Sequence, residues 1–238
     1  MATFEERVEG LTTLAITGSS TPTQSQLTEF LKDGVIDVTN KWLSIRPEDS
    51  HLFIRISSES ASQAGASAPS GKIINVVRES GTNDDWRNCT RVDIGMQSRV
   101  TDTSSLHYAS AYNPAYIISE EGAVLVFPAP SGGGANSYKI YYINGTPTDQ
   151  TNNATLTYAH SDIKYFPEDK VYLVVIYAAI KSIEATLSDF SVNEEDVELV
   201  QSLTPTLQTL QNDYNSAFLP DRNVDAIRAR SQQQQASQ

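Results

Sequence analysis

The chain has 238 residues, 17 Lys+Arg against 29 Asp+Glu, and a formal net charge of −12. That length suits one large domain or two small ones and is enough to bury a real core. The acid excess, with no dense Lys/Arg cluster, argues against a sequence-general nucleic-acid binder, which needs a cationic stripe to displace counterions from phosphate. Apolar residues make up 39% and charged ones 19% of the chain, so Ser, Thr, Asn and Gln fill the difference and the protein reads as folded, polar and acidic. No run of 18 apolar residues occurs, so no membrane span is expected. The opening MATFEERVEG places acids where a signal peptide carries basic and then apolar residues, so no secretory route is expected. Three N-x-Ser/Thr triplets, at Asn88, Asn144 and Asn153, are therefore read as chance. Cys89 is the only cysteine, which removes intramolecular disulfides and cysteine-built zinc sites.

The predicted elements begin with a short helix. Thr3 and Glu6 fit a capping box, and Gly10 is a plausible stop. Leu11–Ile16 reads as extended. Thr23 and Gln26 form a second capping box ahead of Leu27, Leu31, Val35, Val38 and Trp42, whose three- and four-residue steps line one face of a helix running to about Leu43. Gly34 within it costs about 1 kcal/mol against alanine. Arg46-Pro47 ends it, because the residue before proline disfavours the helical region.

From residue 50 to 160 the pattern turns to short strands. Leu52–Ile56 and Ala123–Phe127 alternate, while Lys72–Arg78 and Tyr138–Ile143 are β-branched or aromatic runs. Turn-formers separate them: the Ser/Ala/Gly-rich Ser57–Gly71, the Gly132-Gly133-Gly134 run and Asn144-Gly145. A small antiparallel sheet or sandwich is expected. The loop Ser57–Gly71 is long for a compact domain and is expected to be mobile or ordered by a partner.

The end returns to helix. Phe166-Pro167-Glu168-Asp169 places a proline at a first helical position with acids at the positive helix terminus. Val171–Ile180 is wholly apolar or aromatic. As a helix it must be enclosed by other helices of its own chain or by neighbouring subunits. A buried strand is the other reading, and Ala178-Ala179 with Lys181–Leu187 favours the helix. A last helix from Asn193 sets Val197, Val200, Leu203, Leu207, Leu210, Tyr214 and Phe218 on one face, with Pro205 expected to bend it. Residues 221–238 read as a flexible polar tail. The expected organisation is α+β: residues 1–49 and 161–220 form a helical bundle, and 50–160 is an inserted β-rich domain. Residues 1–49 carry 4 basic and 8 acidic side chains, 50–160 carry 7 and 9, and 161–238 carry 6 and 12. The acidity thus belongs mainly to the helical parts.

No residue pattern points to catalytic chemistry. His51 follows Glu48-Asp49-Ser50 but reads as a junction loop, and His160 in Ala159-His160-Ser161-Asp162 reads as a turn. The triple glycine lacks the following Lys-Ser/Thr and helix of a phosphate loop. Asp84-Asp85 and Glu120-Glu121 point to opposite faces if extended, and Asp93 with Asp102 has no calcium-loop spacing. Arg87 and Arg91 could activate Cys89, yet a small packing residue is the plainer reading. No cofactor or metal is expected. Tyr108, Tyr112, Tyr116, Tyr138, Tyr141 and Tyr142 form either a glycan- or peptide-binding face or a sheet core with a protein contact surface, the second being favoured.

The opening MATFEERVEGLT, the helix Gln26–Trp42 and FPEDKVYLVVIYAAIKSIEATL (Phe166–Leu187) resemble the head-to-tail connector or adaptor proteins of tailed bacteriophages, over about half the chain. The resemblance implies a non-enzymatic virion protein at the neck, assembled in the host cytoplasm. It implies a homo-oligomeric ring, commonly of twelve copies, between the portal protein and a tail or nozzle protein, with DNA passing through without sequence-specific binding. It further implies that a sheet insertion separates the helices of a small bundle and that Phe166–Leu187 is the central helix, with Val171, Val174, Val175, Ala178, Leu207, Leu210 and Tyr214 in bundle or subunit packing. C-terminal portal contacts would fall to Arg222, Arg228 and Arg230. The alternative is a receptor-binding or capsid- or tail-decorating module that uses the Tyr-rich β domain.

Overall fold

The computed structural model describes residues 2–63, 72–119, 122–131, 135–193 and 197–219. The fold is α+β with an inserted sheet domain, and the chain forms two compact units. One combines residues 1–49 with 148–238, and the other is Ser50–Pro147.

The helical unit is organised by local signals that act as expected. In α1 (Phe4–Thr12) the Thr3 hydroxyl accepts from the Glu6 amide at 3.2 Å, and the Glu6 carboxylate accepts from the Thr3 amide at 2.9 Å. Both halves of the capping box are thus made. Phe4, Val8 and Thr12 are buried at four-residue steps. The helix runs through Gly10 and stops at Thr13, which takes a left-handed conformation with φ of 57° and donates its amide to the Glu9 carbonyl. Leu11 and Thr12 are therefore helical, not extended, because the stop comes from a residue in the left-handed region and not from the glycine.

Helix α2 (Gln24–Ile45) starts from the Thr23/Gln26 capping box and buries Leu27, Leu31, Val35, Val38 and Trp42. The Trp42 indole donates to Asp49 at 3.0 Å. The 3-10 turn after it, Pro47–Phe53, takes up Leu52 and Phe53, so the strand expected from Leu52 begins only at Ile54.

The apolar segment is helical, as α4 (Val171–Asn193), which follows the five-residue α3 (Gln97–Thr101) of the other unit. Val171, Leu173, Val174, Val175, Ala178, Ala179, Ile180 and Ile183 are all buried. α1, α2 and α5 (Val197–Ser216) each pack against α4, so three helices of the same chain cover most of it, but the expected all-round enclosure is not complete: Tyr172 is 47% exposed and Ile176 and Tyr177 are half-buried. Its buried polar groups are satisfied: the Ser182 hydroxyl donates to the Ala178 carbonyl at 2.8 Å, and Thr186 to the Thr21 carbonyl at 3.0 Å. Glu168–Phe190 has the length and mean hydropathy, 1.5, of a bilayer-crossing helix. Here it is the core of a bundle.

Gly34 explains how α2 reaches α4 so closely. A Cβ there would lie 3.0 Å from Tyr177 Cδ1 and 3.3 Å from Val174 Cγ1. The glycine that is a weakness by helix propensity is therefore the contact point of the pair.

The inserted unit is shorter than expected. Residues 148–160, rich in Asn, Thr and turns and expected in the β domain, belong to the helical unit. Leu156 is fully buried there. The carbonyls of His160 and Tyr158 accept the Phe4 and Glu5 amides at 2.8 and 3.1 Å, filling two donor positions that the first turn of α1 cannot satisfy itself. The Asp149 carboxylate gathers the amides of Thr151, Asn152 and Ala154 at 2.8–3.0 Å. Those amide bonds hold its pKa below the usual carboxylate value.

The β unit contains two sheets. β1 (Ile54–Ile56), β7 (Tyr138–Ile143), β2 (Ile73–Glu79) and β3 (Trp86–Asn88) form the first, in that order and all antiparallel. β4 (Thr90–Arg91), β5 (Ala115–Ile118) and β6 (Val124–Phe127) form the second, with β4 and β5 parallel. Val76, Tyr138, Ile140 and Tyr142 of the first sheet share one core with Tyr116, Val124 and Val126 of the second, and Cys89 lies among them where the chain changes sheets. The opposite face of the second sheet, Ala115, Ile117 and Phe127, is covered by Val100 of α3 (Gln97–Thr101) and Ala109. A strand buried on both faces loses the alternation that marks a half-buried one, and β5 was not legible for that reason.

Candidate functional site

The packing residues named from the sequence lie on two helices. Val171, Val174, Val175 and Ala178 of α4 are buried, as are Leu210 and Tyr214 of α5, while Leu207 is half-buried. Leu203 is buried as expected, Val200 and Phe218 are half-buried, and the α5 helix continues through Pro205. The Val197 side chain lies outside the described residues, as do Glu120-Glu121, Gly132-Gly133-Gly134, Arg222, Arg228 and Arg230.

Tyr214 is more than a packing residue. Its hydroxyl donates to Asp37 Oδ2 at 2.5 Å, and Asp37 also pairs with Lys41 at 2.8 Å. The Lys41 ammonium stands 4.7 Å from the Tyr214 ring centroid and 5.8 Å from that of Phe218. The Tyr214 and Phe218 rings meet edge to face at 5.1 Å, Tyr177 lies 5.9 Å from Tyr214, and Trp42 lies 6.4 Å from Phe218. Burial and the bond to Asp37 both push the Tyr214 hydroxyl well above the usual tyrosine pKa. The hydroxyl therefore remains a donor, and a carboxylate, a cation and four aromatic rings fasten the end of α5 to α2 and α4. The Asp37/Lys41 spacing on α2 is the sequence trace of this cluster, which reading along the chain had not singled out.

In the β unit the exposed and buried tyrosines separate cleanly. Tyr116, Tyr138 and Tyr142 are core, Tyr141 is half-buried, and Tyr108 and Tyr112 are exposed. The Tyr138 hydroxyl reaches the Val124 carbonyl across the two sheets at 3.4 Å. Arg78 is buried, donating from Nε to the Pro128 carbonyl at 3.1 Å and from Nη1 to the Glu79 carbonyl at 2.5 Å. Neighbouring Glu79 is also buried and accepts the Ser137 hydroxyl and amide at 2.7 and 3.0 Å. Burial raises the Glu79 pKa, but the bonds from Ser137 and Asp84 outweigh it and the net shift is downward.

The remaining chemical candidates do not converge. Cys89 is buried and its thiol is pushed up to about 12, because burial outweighs the nearby Arg78 charge. It is a packing residue, not a nucleophile. His160 Nδ1 faces the Thr157 amide and hydroxyl at 3.0 and 3.1 Å within a turn. His51 lies in the 3-10 turn after α2, and His107 is exposed. Asp93 and Asp102 each close a local turn onto Gly95 and Ser104. Asp85 binds Ser80 and Arg87. Among the described residues no three His, Cys, Asp or Glu side chains gather as a metal site. No protein-family model matches the chain, and no curated protein matches it in sequence.

Proposed function

We propose that the chain is a non-enzymatic virion structural protein: a head-to-tail adaptor that assembles as a ring, of about twelve copies by the family resemblance, between portal and tail. The observation that supports this reading is architectural. Both chain ends build one helical unit around α4, and the β unit is inserted between Asp49 and Thr148, which is the organisation the resemblance implies. Charge supports it too. The helical unit holds 10 basic and 21 acidic side chains, net −11, while the β unit holds 7 and 8, net −1. Acidic helices along a channel repel phosphate and keep passing DNA mobile. Burial of α4 has no weight here, because its own chain covers most of it.

The experiment is native mass measurement with electron microscopy of the full-length protein, alone and mixed with portal rings. An annular particle near twelve copies that stacks on the portal is expected. A monomer that ignores the portal overturns the reading. A trimer that retains glycans through the exposed Tyr108 and Tyr112 replaces it with the receptor-binding reading. Deleting residues 221–238, with Arg222, Arg228 and Arg230, is expected to abolish portal docking while leaving the far-UV spectrum of the folded protein intact.

A further inference from the structure

The turn that caps α1 is held by a histidine used as an acceptor. The Thr157 amide donates to His160 Nδ1 at 3.0 Å. A backbone amide can only donate, so Nδ1 presents its lone pair and the ring proton sits on Nε2. The Thr157 hydroxyl, 3.1 Å from the same nitrogen, can donate or accept and so serves either charge state. The His160 amide returns to the Thr157 carbonyl at 3.2 Å. Side chain and backbone thus close one turn between the same two residues.

Three bonds run from this turn to the helices. The carbonyls of His160 and Tyr158 take the Phe4 and Glu5 amides at 2.8 and 3.1 Å, and the Tyr158 amide donates to the Thr28 hydroxyl of α2 at 3.2 Å. Phe4 is fully buried at the start of α1, which packs against α4. Opening the turn therefore strips the caps from the first turn of a helix that belongs to the core of its unit.

Asp149 couples to the ring from the preceding turn. The amides of Asn152, Ala154 and Thr151 hold its carboxyl below the ordinary value, against the effect of burial, and the charge of His160 adds to this. Those three amides use three of the roughly four lone-pair sites of the carboxylate, which leaves one for a cationic ring. The other charged groups of the segments that meet here are engaged elsewhere. Glu5 takes the Gln24 carboxamide at 2.7 Å, Glu6 the Thr3 amide at 2.9 Å and Asp162 the Ser161 hydroxyl at 3.1 Å, while Lys164 bonds to Asn153. Arg7 lines a hollow with Asp162 and Glu168. α2 meets the turn through the neutral Thr28 hydroxyl.

We propose that His160 is a pH-sensitive latch on α1. Neutral, its Nδ1 holds the Thr157 amide and the turn caps the helix. Protonated, it sets one N–H against another, the ring leaves the amide for the Asp149 carboxylate, and the first turn of α1 is released. The closed state binds one proton fewer than the open one, so acid favours opening. The device lies wholly within the helical unit and is independent of the ring reading.

Two measurements on the full-length protein test it. Nitrogen-15 spectra of the His160 ring at pH 7.5 are expected to show a bare Nδ1 and a protonated Nε2, and a proton on Nδ1 overturns the latch. Hydrogen exchange, corrected for intrinsic rates, is expected to show the protection of the Phe4 and Glu5 amides falling at least about tenfold from pH 7.5 to pH 5.0. A fall shared equally by Leu31 and Val35 of α2 reports the whole unit and overturns the proposal. His160→Asn keeps an acceptor for the Thr157 amide but takes up no proton, so its Phe4 and Glu5 protection is expected to stay level over the same range. A fall that persists in His160→Asn belongs to the carboxylates of α1 and overturns the proposal, as does level protection in the wild type.

Discussion

The helical unit and the β unit solve the same problem, how to bury enough apolar surface, by different routes. In the helical unit one element does most of it. α4 is packed against by α1, α2 and α5, and among the described residues no acidic side chain of these helices is buried. Among the described residues of the β unit no strand exceeds seven residues, and the core is assembled from single residues of many strands that meet through two sheets and one short helix. A core gathered around one rod depends on that rod and on how closely its neighbours approach. A core gathered from many strands depends on pairings between residues far apart in the chain.

The contrast can be broken at its centre. Leu173 is fully buried on α4, the helix that α1, α2 and α5 all pack against. Leu173→Ala is expected to cost about 3 kcal/mol in chemical denaturation followed by far-UV circular dichroism. If the two units unfold separately, the β-unit transition stays in place, and a shift of both transitions together shows that they unfold as one.

A smaller effect is expected where α5 is fastened. Tyr214→Phe keeps the ring and removes only the donor to Asp37, so a loss of about 2 kcal/mol is expected. Hydrogen exchange should quicken mainly along α5. Uniform quickening over the whole helical unit would show that the hydroxyl holds more than this helix.

Gly34→Ala sharpens the account of close approach. Helix propensity alone favours alanine by about 1 kcal/mol, but the added Cβ meets Tyr177 at 3.0 Å. Net destabilisation of about 1 kcal/mol is expected, measured by the denaturation midpoint. A stabilised variant would refute the glycine's role as a contact point.

The last prediction concerns the β unit and pH. Glu79 has a folded pKa lowered from its ordinary value of 4.5, against the effect of its burial, by bonds from Ser137 and Asp84. A carboxyl that binds its proton less readily when folded adds stability above its unfolded pKa. That stability is lost as the pH falls through the lowered folded value. Melting temperatures of wild type and Glu79→Gln should therefore differ near neutrality and converge in acid. A constant gap at every pH would assign the effect to shape and not to charge.

The helical unit was legible because its signals are local. Thr3/Glu6 and Thr23/Gln26 each announce a helix start within four residues, and Leu27 to Trp42 show the buried face by spacing alone. The β unit was legible only in its half-buried strands. Tyr138–Ile143 matched to the residue, whereas Ala115–Ile118, buried on both faces, and the two-residue β4 left no periodic trace. The polar run 148–160 was misplaced because turn chemistry shows that the chain bends, not which unit it bends towards. The Asp37–Lys41–Tyr214 cluster was missed for a related reason: Lys41 and Tyr214 stand 173 positions apart in the chain, and no spacing rule spans such a gap.

The amino-acid sequence by itself determined where helices begin, which faces they bury, that the apolar α4 forms the core of the helical unit, and that the acidity gathers in the helical parts. These follow from capping, periodicity and charge, which act over a few residues. Only the tertiary structure decided that the cover comes from the chain's own helices, that Gly34 is a point of contact, and which tyrosines are core and which are exposed. Those outcomes depend on which distant segments meet, and packing at near-crystal density sets that globally.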